Sequence, residues 1–238
     1  MKPVILMTGH TMPELAARRG DFDLWYAQLA GWSPDRFHVV DAVGGEPLPN
    51  PHNVDALIVS GSAHSVADYA AWSVASGQFM TEVVNAGIPT LGICYGHQLI
   101  GDCLGGRVGV NPAGREIGIS VITQRGDDPI FDGLPTNFPV IQTHVDAVLD
   151  APGAAEIIAS NDNTEIQAMA IGKRTRTVQW HPEFDIDIIG HYITVRAEAI
   201  ESEFGPGHAS KLLKALQPVE TGRVIMRNFL NNFAAGKV

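Results

Sequence analysis

Through the first hundred residues, short apolar runs alternate with stretches of helical periodicity. That alternation constrains the fold more than any other feature of the chain. Residues 3–9, 36–43, 54–62 and 89–94 read as buried strands, and residues 14–31, 70–87 and 95–106 as helices. Apolar strands separated by helices pack as a largely parallel sheet with helices on its faces. Past residue 118 the pattern changes. Strand-like segments at 118–124, 138–144, 155–160, 166–172 and 175–180 follow one another over short links, which predicts an antiparallel extension of the same sheet. Helix returns after Glu183, breaks at 205–208, and ends with a helix near 220–234. The expectation is one α/β domain over 1–238, three layers (αβα) deep, with no internal repeat or linker. Its helical segment at about 185–218 reads as a solvated cap, the other readings being a lid, a dimer contact or a partner surface.

Composition narrows the function classes. A formal net charge of -10 leaves no electrostatic footprint for nucleic acid. Only two cysteines occur, Cys94 and Cys103. On one helix they would stand roughly 13 Å apart along its axis, beyond the reach of a disulfide. The apolar start of the chain is too short for a signal-peptide core, and no run approaches the roughly 20 residues of a membrane span. The simplest address is the cytoplasm. The histidines are scattered, and neither a phosphate loop nor a dinucleotide turn is present, so no metal and no cofactor is expected.

Gly92-Ile93-Cys94-Tyr95-Gly96 joins a strand directly to a helix, the setting of a nucleophile elbow. Flanking glycines let the backbone bend sharply, and the helix N-terminus directs its dipole at the sulfur. Gln98, four residues on, shares the helix face of Cys94 and can offer an amide to a substrate. His97 reads as a packing residue and Cys103 as core. A thiol nucleophile needs a base and the base an orienting group. His181 follows a strand and Glu183 stands two residues later, facing the same way along an extended chain, with Pro182 stiffening the link. An oxyanion needs donors. Tyr95 N–H is one; the Gly61-Ser62 turn is either a second or simply the end of its strand.

With these residues assembled, the chain resembles the class I (triad) glutamine amidotransferases, especially the glutaminase domain of GMP synthases and its stand-alone relatives. LGICYGHQLI (91–100) and WHPEF (180–184) are similar to the nucleophile and histidine–glutamate segments, and SGSAHSV (60–66) to the oxyanion stretch. REIG (115–118) and THVD (143–146) resemble two stretches that line the glutamine pocket. The resemblance implies a flavodoxin-like class I glutaminase fold. It implies Cys94 as nucleophile, His181 as base, Glu183 as its orienter, and Gly61 with Tyr95 as oxyanion donors. Gln98, Glu116, Ile117, Thr143 and His144 become substrate contacts. Val145 stands where the GMP synthase pattern usually has Gly, which bears on strict glutamine preference.

Three functions fit this reading. One is a glutaminase that passes ammonia to a synthetase partner, and another a self-sufficient γ-glutamyl hydrolase or peptidase. The third is a catalytically silent binding module, against which the intact triad argues. The substrate is a small molecule in the first two; homo-oligomer formation is left open.

Overall fold

Alternate side chains of a strand enter opposite layers, and β1 (Val4–Met7) shows how this sheet is covered. Val4 and Leu6 join the apolar cluster on one face, Ile5 and Met7 that on the other, and all four are buried. The computed structural model describes residues 2–235; residue 1 and residues 236–238 of the expected domain lie outside the described residues.

The helix expected over 14–31 is two helices, α1 (Pro13–Arg19) and α2 (Phe22–Ala30). Gly20 ends the first at φ 77°, and the Asp21 carboxylate accepts from Phe22 N–H to start the second. Then follow β2 (His38–Asp41), β3 (Leu57–Val59), α3 (Ala71–Asn85), β4 (Thr90–Ile93) and α4 (Tyr95–Cys103). Next come β5 (Arg107–Val110), β6 (Glu116–Gln124), β7 (Asn137–His144), β8 (Asp146–Asp150), β9 (Ala155–Ser160), β10 (Ala168–Ile171) and β11 (Thr175–Val178). Among the described residues the main sheet runs β2-β1-β3-β4-β11-β10-β9-β6-β7. From β2 to β11 neighbours are parallel; from β11 to β7 they are antiparallel. The expected α/β architecture, parallel core plus antiparallel extension, is the observed one. A separate ribbon pairs β5 with β8. Its strand Arg107–Val110 is glycine-containing and partly exposed, with no apolar run to announce it.

Helices α3 and α4 cover one face of the sheet; α1, α2, α5 (Ile186–Val195) and α8 (Thr221–Asn228) pack on the other. The terminal helix expected over 220–234 loosens into a wider turn at Phe229–Ala234. The segment at 185–218 packs its inner face on the core and leaves its outer face exposed. It holds α5, α6 (Ala197–Phe204) and α7 (His208–Ala215), and Ile188, Ile189, Tyr192, Ile193, Ile200 and Ala209 are buried in the larger cluster. No helix among the described residues is long and apolar enough to cross a membrane.

Candidate active site

Strands β4 and β11 are parallel neighbours with Ile93 opposite Val178, so the chain leaves both at the same sheet edge. That edge, outside the carboxyl ends of parallel strands, is where such folds bind ligands. It brings together residues 94 and 181, far apart in sequence.

Cys94 sits at φ 51° and ψ -100°, one of two non-glycine residues with positive φ among those described. Such backbone costs on the order of 1–3 kcal/mol and persists only where surroundings hold it. Here Cys94 N–H donates to Val178 O at 2.8 Å, and Gly96 N–H to Ser60 O at 3.2 Å. The two glycines serve a different end from the one expected. Neither has positive φ. A Cβ on Gly92 would stand 2.8 Å from Gly96 O, and one on Gly96 2.7 Å from Val59 O. They let strand, helix and neighbouring strand close on one another, while the cysteine itself takes the strain.

His181 is buried, its Nδ1 2.7 Å from Glu183 Oε1. The pair does not lie on extended chain as the sequence suggested. Residues 181–184 form a turn closed by Phe184 N–H to His181 O at 3.4 Å, and the turn carries the carboxylate back beneath the ring. The imidazole stacks on Phe184 at 4.1 Å between centroids, and Gly61 leaves room for its edge, since a Cβ there would come 2.7 Å from Cε1. Burial pushes the His181 pKa down, but the Glu183 carboxylate and the neighbouring Cys94 sulfur outweigh it, lifting it to about 10. The ring is an imidazolium at neutral pH, with the sulfur on one side and the carboxylate on the other.

An imidazolium serves as proton donor until it deprotonates. Cleavage is therefore expected to hold through neutral pH and decline as pH passes about 10. Glu183→Gln removes the leading charge that raises the ring's pKa, so the alkaline limb of kcat/KM should move to lower pH. An unmoved limb in the variant would detach Glu183 from the control of His181.

Gln98, Thr143 and His144 line the pocket of about 300 Å³ into which Cys94 opens, together with Ser62, Arg115, Val145, Asp146 and Arg196. Gln98 Nε2 donates to Asp146 O at 2.7 Å and Gln179 Oε1 at 3.1 Å, so its oxygen is the atom left to offer. Glu116 and Ile117 do not line this pocket. Ile117 packs in the apolar core, and Glu116 lies below, accepting from Asn161, Thr164, Gln167, Gln142 and His144 at 2.6–3.2 Å. Burial would raise the Glu116 pKa, but these donors, His144 foremost, lower it. Its geometry is that of a brace for His144, whose other nitrogen lies 2.9 Å from Asp146 O. Arg115, the residue just before β6, is the one that reaches the pocket.

The loop after β3 also departs from expectation. The Gly61 carbonyl accepts from Ser60 Oγ at 3.0 Å and Thr8 Oγ1 at 3.4 Å, facing the interior. In a planar trans peptide the next N–H points the opposite way. Ser62 N–H is thus turned away from the interior, and Ser62 lines the pocket. Behind this loop the buried Tyr26 hydroxyl donates to Glu183 Oε1 at 3.4 Å. Tyr95 N–H opens α4, where the helix supplies it no acceptor. His97 is fully buried, with Nδ1 2.8 Å from Thr177 Oγ1, and desolvation, then His144, lowers its pKa to about 3. Cys103 is pushed up to about 11 by burial. Sequence reading missed Tyr26 and Arg196, while Ser62, Arg115 and Asp146 lay within stretches it singled out without being named as contacts themselves. Arg196 carried only the signal of a cation after a recognised segment, and Tyr26 carried none.

Comparison with known proteins places the chain in a family. The glutamine amidotransferase class-I family profile matches residues 41–196, more than half of the chain. A GMP synthase (glutamine-hydrolyzing) from Aeropyrum pernix is 38% identical over 144 residues, covering 60% of this chain but 26% of that protein. The chain thus spans about a quarter of that relative's length. Gamma-glutamyl peptidase 3 of Arabidopsis thaliana is 28% identical over 211 residues, covering 85% of this chain and 82% of the plant protein. A crystal structure of a glutamine amidotransferase from Thermotoga maritima superposes over 98% of both chains with a TM-score of 0.75 at 21% identity, a likeness of fold. The chain belongs to the class I glutamine amidotransferase family.

Proposed function

We propose that this protein hydrolyses the γ-amide bond of glutamine or a γ-glutamyl compound through a thioester on Cys94. The observation that carries the reading is the sulfur at a strained elbow beside an imidazolium held by Glu183. Sulfur attacks the γ-carbonyl carbon, and the oxyanion meets Tyr95 N–H and Ser62 N–H. His181 gives its proton to the departing nitrogen as the C–N bond breaks. Water then attacks the thioester, passing a proton back through His181, and glutamate leaves. Gln98, Thr143 and His144 contact the glutamyl part, with Asp146 opposite its ammonium; Glu116 and Ile117 support the pocket from behind.

Between the two catalytic readings, the nearly end-to-end likeness to the plant peptidase favours γ-glutamyl peptides over glutamine. The test is incubation of the purified protein, alone, with glutamine and a panel of γ-glutamyl amides and peptides, using Cys94→Ala as blank. Rapid release of an amine with glutamine poor supports the peptidase reading. Slow glutamine hydrolysis alone turns the reading toward ammonia donation to a synthetase. No release from any substrate refutes both.

A further inference from the structure

Two guanidinium groups line the pocket, and they are not equivalent. Arg115 is paired with Glu203 of α6 at 2.9 Å. Arg196, at the junction of α5 and α6, donates from Nη1 to Thr143 Oγ1 at 2.5 Å and lies 4.9 Å from the centre of the Tyr192 ring. Among the described residues no carboxylate pairs with it. A largely desolvated cation without a counter-ion is unfavourable. Burial and the like charge of Arg115 press its pKa below the usual arginine value, though the neighbouring Tyr192 and Cys94 oppose this. An arriving anion relieves that cost.

The position of Arg196 says which anion. It borders the Cys94 pocket and also a smaller cleft shared with His181, Phe22, Tyr192, Ser62 and Thr143. Gln98 and Asp146 line the first and not the second. His181 must face the nitrogen that departs, so the leaving group lies on the side of the Cys94 pocket that adjoins this cleft, which itself has room for little more than a water at about 20 Å³. When that group is an amino acid, its α-carboxylate sits on the carbon bonded to the scissile nitrogen. We infer that Arg196 is a specificity-determining residue that receives the α-carboxylate of an amino-acid leaving group, making γ-glutamyl-α-amino acids the preferred substrates. The inference rests on the proposed γ-glutamyl hydrolysis. It also gives the segment at 185–218 a task, since α5 and α6 supply both Arg196 and the partner that restrains Arg115.

The experiment compares γ-glutamylglycine with γ-glutamylmethylamide, which differ only by the carboxylate. Wild type is expected to favour the glycine compound in kcat/KM by roughly 10- to 100-fold, the worth of a charged hydrogen bond. In R196Q the ratio should fall to about unity through loss on the glycine compound alone, and R196K should restore part of it. Equal loss on both substrates would place the guanidinium at the glutamyl end or in a structural role, and overturn the inference. So would a wild type indifferent to the carboxylate. Should R196Q lose its fold by thermal unfolding, the wild-type preference and the R196K ratio decide. Cleavage of neither compound, nor of glutamine, would instead sink the underlying hydrolase reading.

Discussion

Cys94→Ala is expected to reduce γ-glutamyl amide cleavage by at least about 10⁴-fold while leaving the fold intact. In a triad whose members act as a unit, losing the nucleophile costs about as much as losing all three, which in a serine protease is about 10⁶ in kcat. What remains is substrate positioning and the oxyanion donors, and these cannot make a covalent bond. Stability should change little. Alanine keeps a Cβ at φ 51°, so it retains the elbow's strain and loses only one buried sulfur. A thermal midpoint within a few degrees of wild type, with activity at the blank, is the expected pair of results. Alkylation supplies a third readout. Iodoacetamide should label wild type at Cys94 near neutral pH and leave Cys103, whose thiol burial holds near pKa 11, largely untouched. Substantial turnover by Cys94→Ala would mean that another group attacks the amide, and the thioester route would have to be abandoned.

How much of this was legible beforehand depends on how far each feature reaches along the chain. The elbow is local: an apolar strand, a cysteine between two glycines, and a helix occupy one short stretch. Its context could be read directly, although the glycines turned out to provide space rather than positive φ. His181 and Glu183 were found as a pair, but by the wrong geometry. Pro182 looked like a stiffener of extended chain, whereas the backbone turns there to bring the carboxylate under the ring. Glu116 and Arg115 show the limit more sharply. Glu116 opens β6 and Arg115 precedes it, and one sequence does not reveal which of the two turns to the pocket until β6 is placed against β7. Ser62 depends on the orientation of a single peptide plane. Arg196 needed the whole path of α5 and α6, a segment whose apolar face could be taken for a cap until its core packing was known.

Gly222→Ala should damage the site from the far end of the chain. An alanine in a helix interior ordinarily stabilises by about 1 kcal/mol over glycine. At Gly222, in the first turn of α8, a Cβ would overlap the carbonyl oxygen of Pro182. That contact is backbone against backbone, so no side-chain rotation relieves it. Overpacking of this kind costs typically about 1–3 kcal/mol and sometimes more, enough to outweigh the propensity gain. The strain falls on the turn that carries His181 and Glu183. That turn is tied to β7 by His181 N–H to Ile141 O at 2.9 Å, while Thr221 Oγ1 ties α8 to Pro139 O at 2.7 Å. Helix and turn are thus fastened to the same strand and have little room to separate. A net cost of up to about 2 kcal/mol lowers the midpoint by up to roughly 8 °C in a chain of this size. A displacement near 1 Å at the imidazole would lower kcat by about 10²-fold. Gly190→Ala is the matched control, because a Cβ there meets Leu216 at an ordinary 3.5 Å. It should keep full activity and gain stability. If Gly222→Ala behaved like that control, the close approach of α8 to the Pro182 carbonyl would not be what holds the His181–Glu183 turn in place.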